Sequence, residues 1–303
     1  MTFARKTHID LPHLLATHNC PHSARYGMRV LDHDGIAWGP PSTVELVEAV
    51  KDFPLDPRDV LVTGFPKSGT NWVQIMLANM WDDWGSYLLT GSRRVPSIEF
   101  IGDGTDGYDI AVSSDPPRLM KNYLDATRMP RNWRGSGAKV VYLTRSPFDV
   151  CPSFFRQLHI PALELDADWD AWVGRFVRGD KLYGGWAHHV RSWHAYRHAE
   201  NVHHVSYEAI SRDPFGEMRK IVGFLAKPVN DTRFHDVVTK ALRENMDASG
   251  YSDQITVAAE NLKFYRGAGE AGKGRAQFTP EQTERMERDV IAPLRASGVP
   301  IET

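Results

Sequence analysis

Cysteine is nearly missing from this chain: Cys20 and Cys151 are the only two among 303 residues. Two thiols cannot build a disulfide framework, which excludes the small secreted scaffolds and points to a reducing, cytoplasmic setting. Long apolar runs are missing as well, since no uninterrupted stretch approaches the ~20 residues of a membrane span. The opening residues, MTFARKTHIDLPHLL, have neither the apolar core nor the small-residue cleavage site of a secretory leader. Charge of one sign is not in excess either. Lys plus Arg total 36, Asp plus Glu total 38, and the formal net charge is −2. No global positive surplus exists to hold a nucleic acid as the main partner. Fixed-period repeats and low-complexity tracts do not occur. The remaining balance, 42% apolar and 24% charged, is that of a soluble globular protein of one large α/β domain or two small ones.

Residues 1–40 are rich in His, Pro and Gly with little periodicity and read as an irregular arm. Ser42, with Glu45 three residues on, predicts a capping box for a short helix that Pro54 and Pro57 end. Asp59–Thr63 is a short β-prone run leading into Gly64-Phe65-Pro66-Lys67-Ser68-Gly69-Thr70 and then a helix. In that helix Trp72, Val73, Met76, Leu77 and Met80 form one stripe that should pack on a sheet. Lys139–Thr144 predicts a second strand followed by a helix from Phe148, and Val202–Tyr207 a third before a helix over Phe215–Leu225. Arg118–Lys121 is a shorter candidate. Strands alternating with helices imply a parallel sheet covered on both faces. Residues 261–279 are Gly-rich and basic, with Lys263, Arg266, Lys273 and Arg275, and read as a loop serving an anionic ligand.

A loop between a strand and a helix N-terminus presents unpaired backbone N–H groups, and the helix dipole adds positive potential. Phosphate binding is a common use of that geometry. Gly64 and Gly69 let the backbone approach closely, Lys67 supplies a point charge, and Ser68, Thr70 and Asn71 add polar groups. The spacing is not that of a Walker A loop, in which Lys directly follows the last Gly. Here Lys67 lies two residues before Gly69, which argues against an ordinary ATPase or kinase. Taken alone, so short a string reads more readily as a tight turn with an exposed lysine.

The longer string changes that balance. Phe65-Pro66-Lys67-Ser68-Gly69-Thr70-Asn71-Trp72 resembles the YPKSGTTW loop of cytosolic sulfotransferases, which holds the 5′-phosphosulfate of PAPS (3′-phosphoadenosine 5′-phosphosulfate). Arg145-Ser-Pro-Phe-Asp-Val-Cys-Pro-Ser153 resembles the family's RNPKDVxVS segment, which binds the 3′-phosphate. Tyr207-Glu208 is similar to its YE pair, whose Tyr contacts adenine, and Phe264 to Thr279 resembles its RKGxxGDWKxxFT loop. The likeness runs over roughly residues 26 to 290.

It implies the sulfotransferase fold: a single α/β domain over residues 1–303 with a central parallel sheet flanked by helices. It also implies PAPS as cofactor, PAP as product, no metal, and a small-molecule acceptor. On this reading Pro66, Lys67, Ser68, Gly69, Thr70, Asn71 and Trp72 hold the 5′ end, with Trp72 stacking on adenine. Arg145, Ser153, Arg266 and Gly267 hold the 3′-phosphate, and Tyr207 contacts the base. Sulfuryl transfer, like phosphoryl transfer, depends mostly on positioning and electrostatic stabilisation, and Lys67 is placed to stabilise charge on the leaving oxygen.

The family's next motif is a PRLxKTHLP-like stretch whose Lys supports the transferring group and whose His takes the acceptor's proton. This chain reads Pro117-Arg118-Leu119-Met120-Lys121-Asn122-Tyr123-Leu124, so Lys121 fits and Tyr123 stands in the His position. Three explanations stand open. Tyr123 is itself the base, although a phenol ordinarily titrates near ~10. Another group serves, such as Glu99, His159 or a further carboxylate or imidazole. Or the acceptor is acidic enough to need little base. A protein that binds PAPS or PAP with lost or altered turnover is the accompanying alternative.

Other features take plainer readings. His18 to His22 is an incidental arm sequence, and His194, His198 and the pairs His188-His189 and His203-His204 are surface or packing residues. Trp169, Trp172, Phe176, Trp186 and Trp193 are expected in helix packing, and an apolar acceptor pocket would draw on them. Cys151 is expected as a small core residue. The family's KxxxTVxxxE dimerisation segment appears as Arg275 to Glu284, with Pro280 in the Val position. Proline removes a backbone donor and should weaken strand-like pairing there, which leaves the oligomeric state open.

Overall fold

The computed structural model describes residues 21–39, 42–84, 95–99, 101–102, 105–159, 165–180, 182–242, 244–251 and 270–303. His18, Cys20, Lys263, Arg266 and Gly267 lie outside the described residues. Within the stretch expected to be irregular, residues 22–38 form two short antiparallel ribbons. The second, Leu31–His33 with Ile36–Trp38, turns on Asp34 and Gly35, at φ 52° and 70°. An Asp-Gly pair is suited to such a turn because both central residues need positive φ.

The first helix, α1 (Val44–Lys51), starts one residue later than the capping box predicted. Thr43 is the cap, its hydroxyl accepting the Leu46 N–H at 3.2 Å, while the Ser42 hydroxyl donates to the Glu99 carbonyl at 3.0 Å. The tertiary partner took the nearer hydroxyl, and the next one in sequence closed the helix.

Four parallel strands make the core: β1 (Val60–Gly64), β2 (Leu119–Asn122), β3 (Lys139–Thr144) and β4 (Val202–Ser206). Their order across the sheet is β4-β3-β1-β2. Every β1 residue is buried, as expected of a strand covered on both faces. Register pairs Thr63 with Asn122 and Tyr142, and Ser206 with Thr144, so all four carboxyl ends emerge at one edge. The chain leaves β1 toward β2 on one side, then crosses to β3 and β4 on the other. The crevice between β1 and β3 is therefore a topological switch point, where open α/β sheets bind ligands.

Helix α2 (Thr70–Met80) follows β1 and is buried on more than the predicted stripe; Gln74, Ile75, Ala78 and Asn79 are covered too. The helix Asp231–Ala241 lies over its outer face, where Trp72 Nε1 donates to the Ala241 carbonyl at 2.7 Å and Arg233 Nε to the Asn79 carbonyl at 2.9 Å. Helix α3 (Pro147–Leu158) follows β3, and its Cys151 is fully buried, as expected. Thr279 and Pro280 open the helix Pro280–Met286 through a capping box with Gln282. Proline at the first helical position needs no donor, which accounts for Pro280. At the amino end of the sheet, buried Asp59 receives Arg118 Nε at 3.0 Å and the Arg118 backbone N–H at 3.1 Å. No helix among the described residues is long and apolar enough to cross a membrane.

Candidate active site

The chain turns sharply after β1. The Ser68 N–H bonds the Phe65 carbonyl at 3.1 Å, and Lys67 and Gly69 have φ of 74° and 97°. A lysine held in the left-handed region is strained, and such strain persists only where its surroundings enforce it. Gly69 caps α2 without a side-chain acceptor, so the first-turn N–H groups face the loop. A side chain at Gly69 would sit 2.6 Å from the Tyr207 ring, and one at Gly64 would sit 2.7 Å from the Leu143 carbonyl. Both glycines thus admit close approach of neighbouring chain. The Ser68 hydroxyl is buried without a hydrogen-bond partner among the described residues.

Arg145, at the end of β3, reaches the same turn. Its Nη1 donates to the Lys67 carbonyl at 3.3 Å and its guanidinium lies 3.9 Å from the centre of the Tyr207 ring. Tyr207 in turn packs against Trp72, with ring centres 5.4 Å apart. The Ser146 N–H donates to buried Glu208 at 2.9 Å, which fixes the entry to α3 and hence Ser153 within it. Desolvation, with Arg145, Arg156 and Lys121 nearby, pushes the part-buried Lys67 ammonium down to about 7. Residues from three separate sequence segments, around Lys67, Arg145 and Tyr207, therefore meet.

The end of β2 joins this cluster through Lys121. Its Nζ donates to Asn71 Oδ1 at 3.1 Å and to the Tyr123 hydroxyl at 3.3 Å. Tyr123 is clamped through its backbone. Its N–H donates to Glu99 Oε1 at 2.7 Å, and its carbonyl lies 3.3 Å from His189 Nε2. Burial holds the His189 imidazole down to about 4, so it is neutral; with Nε2–H donating, Nδ1 accepts from the Tyr142 hydroxyl at 3.2 Å. Burial also pushes the Glu99 carboxyl up to about 7.

Glu99 is fully covered and faces the backbone of Tyr123, which makes it a positioning residue in this arrangement. His159, the other candidate base, is exposed at the carboxyl end of α3. The supporting roles of Glu99 and His189 had no sequence signal. They stand 24 and 66 residues from Tyr123, and neither belongs to a recognisable string.

Beside the phenol, Tyr183 meets the Tyr123 ring at 6.0 Å and Phe154 at 6.2 Å. Phe65, Phe154, Trp172, Phe176 and Trp186 line an aromatic cavity next to this wall. Three of the five expected aromatics, Trp172, Phe176 and Trp186, thus belong to it. Trp193 stacks on Tyr142 elsewhere, with ring centres 5.0 Å apart.

Comparison with known proteins agrees with this geometry. The family model described as "Sulfotransferase domain" matches residues 57–297. Sulfotransferase 1A1 of Canis lupus familiaris is 26% identical over 268 residues, covering 86% of this chain and 91% of that protein. Sulfotransferase 1A1 of Rattus norvegicus is 28% identical over 254 residues, covering 80% and 87%. Among solved structures, mouse sulfotransferase SULT7A1 complexed with PAP superposes with a TM-score of 0.75 at 24% identity, covering 89% of this chain and 96% of that one. Retinol dehydratase in complex with retinol and PAP superposes with a TM-score of 0.72 at 20% identity, covering 97% and 98%. The family match over most of the chain and the parallel-sheet fold lead to one conclusion: the chain belongs to the PAPS-dependent sulfotransferase family and is an enzyme of sulfuryl transfer.

Proposed function

We propose that the protein transfers a sulfuryl group from PAPS to a hydroxyl of a small aromatic or otherwise apolar acceptor, giving PAP and a sulfate ester. The observation that carries this reading is the bridge Asn71–Lys121–Tyr123, which ties the anion-binding turn to the aromatic wall. The residues present suit the nucleotide: a buried Ser68 hydroxyl without a partner among the described residues, a helix N-terminus with no side-chain cap, and the cations Lys67 and Arg145 stand together. The turn Pro66 to Trp72 would hold the 5′ end, Arg145 and Ser153 the 3′-phosphate, and Tyr207 the adenine, with Trp72 beside it. Arg266 and Gly267 would close on that phosphate as the family resemblance implies. When bound, PAPS supplies the activated sulfuryl group and a stable leaving group.

The chain's own residues do the rest. Lys67, recharged by the bound polyanion, stabilises charge on the leaving oxygen. Lys121 donates to the Tyr123 oxygen and holds the phenol at the aromatic wall. On this reading Tyr123 positions the acceptor rather than deprotonating it, and acidic hydroxyls such as phenols are the favoured acceptors. Small-molecule turnover of this kind suits a cytoplasmic enzyme, consistent with its two cysteines.

Two measurements test this. PAP should raise Tm far more than ADP, without added Mg²⁺, and Arg145→Ala should abolish most of the difference. Equal stabilisation by ADP, or a strict Mg²⁺ requirement, would favour a kinase. Tyr123→Phe should cost about 2–10-fold in kcat/KM toward a phenol, the worth of one neutral hydrogen bond. A loss of ~10²–10⁴, the usual worth of a general base, would show that the phenol takes the proton. The substitution of the family His by Tyr123 also favours a second reading, a PAP-binding protein without turnover. A panel of phenols, alcohols and amines giving no sulfated product would establish it.

A further inference from the structure

Trp186 opens the helix Trp186–His194 and borders the aromatic cavity next to the Tyr123 wall. It is 2% exposed, and its indole N–H is buried without a hydrogen-bond partner among the described residues. Other core indoles are paired: Trp72, Trp84, Trp172 and Trp193 each donate to a backbone carbonyl, at 2.7, 3.0, 3.0 and 3.1 Å. The polar side chains that share the cavity are engaged as well. The Tyr26 hydroxyl donates to Asp32 at 3.5 Å, Arg175 donates to the Tyr26 carbonyl, and Asp180 accepts from Arg178 at 3.3 Å. Phe176 stacks on the Trp186 ring, with centres 6.5 Å apart.

A buried donor without a partner is costly, and natural folds seldom keep one that nothing uses. The cavity continues the aromatic wall, because Tyr183 meets both Tyr123 and Phe154, and Phe154 lines the cavity. An arene with its hydroxyl at Tyr123 can therefore send its far end toward Trp186. The cavity is narrow and takes a slender substituent, not a second ring. Its lining is mostly aromatic, and its one cation and one anion are both engaged, so an ionised group would be buried unpaired. One neutral donor calls for one neutral acceptor atom. We propose that Trp186 is a specificity-determining residue: its indole N–H pairs with a neutral carbonyl oxygen that the acceptor carries at the end remote from its reacting hydroxyl. The preferred acceptors are thus phenols with a short carbonyl-bearing side chain. This inference rests on the acceptor reading of the Tyr123 wall and deepens it.

The test uses phenols bearing a methyl ketone on a saturated tether of about two to four carbons. Each is set against the hydrocarbon in which CH–CH₃ replaces C=O. The tether keeps the two phenols nearly equal in acidity, so the pair differs chiefly at the far end. Affinity for the PAP-loaded protein is measured by calorimetry, and kcat/KM for sulfation beside it. Trp186→Phe keeps a ring on Phe176 and removes only the N–H donor and part of the indole. At the best tether length, the ketone-to-hydrocarbon ratio should fall about 3–10-fold in this variant, in both affinity and kcat/KM, the worth of one neutral hydrogen bond. A purely structural role would lower both members of the pair alike and leave the ratio unchanged, which overturns the proposal. If Trp186→Phe does not fold, the unsubstituted protein labelled with ¹⁵N-tryptophan gives the answer. The ketone should move one indole N–H resonance downfield and the hydrocarbon should not; no such movement at any tether length overturns the proposal, as does failure of every phenol to bind. Phenols that bind with the expected ratio but are not sulfated would refute the transfer reading and leave the Trp186 assignment standing. Sulfation of both members with no change of ratio would refute the Trp186 assignment alone.

Discussion

Replacing Lys67 by alanine should lower kcat by about 10²–10³, the cost of removing one positioned donor from developing charge, while PAP affinity falls by less than tenfold. The difference arises because the largest demand on the ammonium exists only in the transition state. On the proposed reading, ground-state binding would be shared among Arg145, the loop N–H groups and the Ser68 hydroxyl. The same residue predicts a pH effect. In the free protein the ammonium is pushed down to about 7 by desolvation and neighbouring cations, so above that pH it is increasingly neutral. A bound polyanion favours the charged form. Binding near pH 8 should therefore take up a proton, and PAP affinity should weaken as pH rises from 7 to 8. Calorimetry in two buffers of different ionisation enthalpy reads the proton directly. Proton release, or an alanine variant with nearly full turnover, would remove Lys67 from the proposed role.

Asp59→Ala should be the most destabilising single change at the far end of the sheet. Asp59 is fully buried and receives Arg118 through its side chain and its backbone, and also the Asp56 N–H at 2.8 Å. Removing the carboxylate leaves the Arg118 charge buried at 3% exposure. Breaking one side of a buried pair costs about 3–5 kcal/mol. In a chain of this size that corresponds to a Tm lower by roughly 10 °C, readable by scanning calorimetry. Asp59→Ala with Arg118→Leu should recover part of the loss but not all, since the Ala111 and Pro54 carbonyls lose their guanidinium donors. Because this pair lies at the edge of the sheet opposite the Lys67 turn, kcat below the transition should be unchanged. A Tm within 2–3 °C of the parent, on the order of 1 kcal/mol, would mean that Arg118 finds water or another partner.

The sequence by itself determined the strand–turn–helix unit at residues 60–80, because a Val-rich run, two spaced glycines and an apolar helical segment each state a local backbone requirement. It determined β3 with the bounds Lys139–Thr144 and the nature of the family, whose strings sit in order along the chain. It also exposed Tyr123 as the departure from the family's His. Tertiary structure decided what those units touch. The switch of strand order places Arg145 over the Lys67 turn, and the register of β1 with β2 carries Lys121 to Asn71. Burial of α2 beyond its stripe, the shift of the α1 cap to Thr43, the Glu99–Tyr123–His189 clamp and the reach of Asp149 to Gly274 all depend on partners distant in sequence. Local patterns record a residue's own propensity and burial over a turn or two. Which strand lies beside which is settled by packing the whole sheet, so pairings across 24 to 125 residues appear only when the chain is folded.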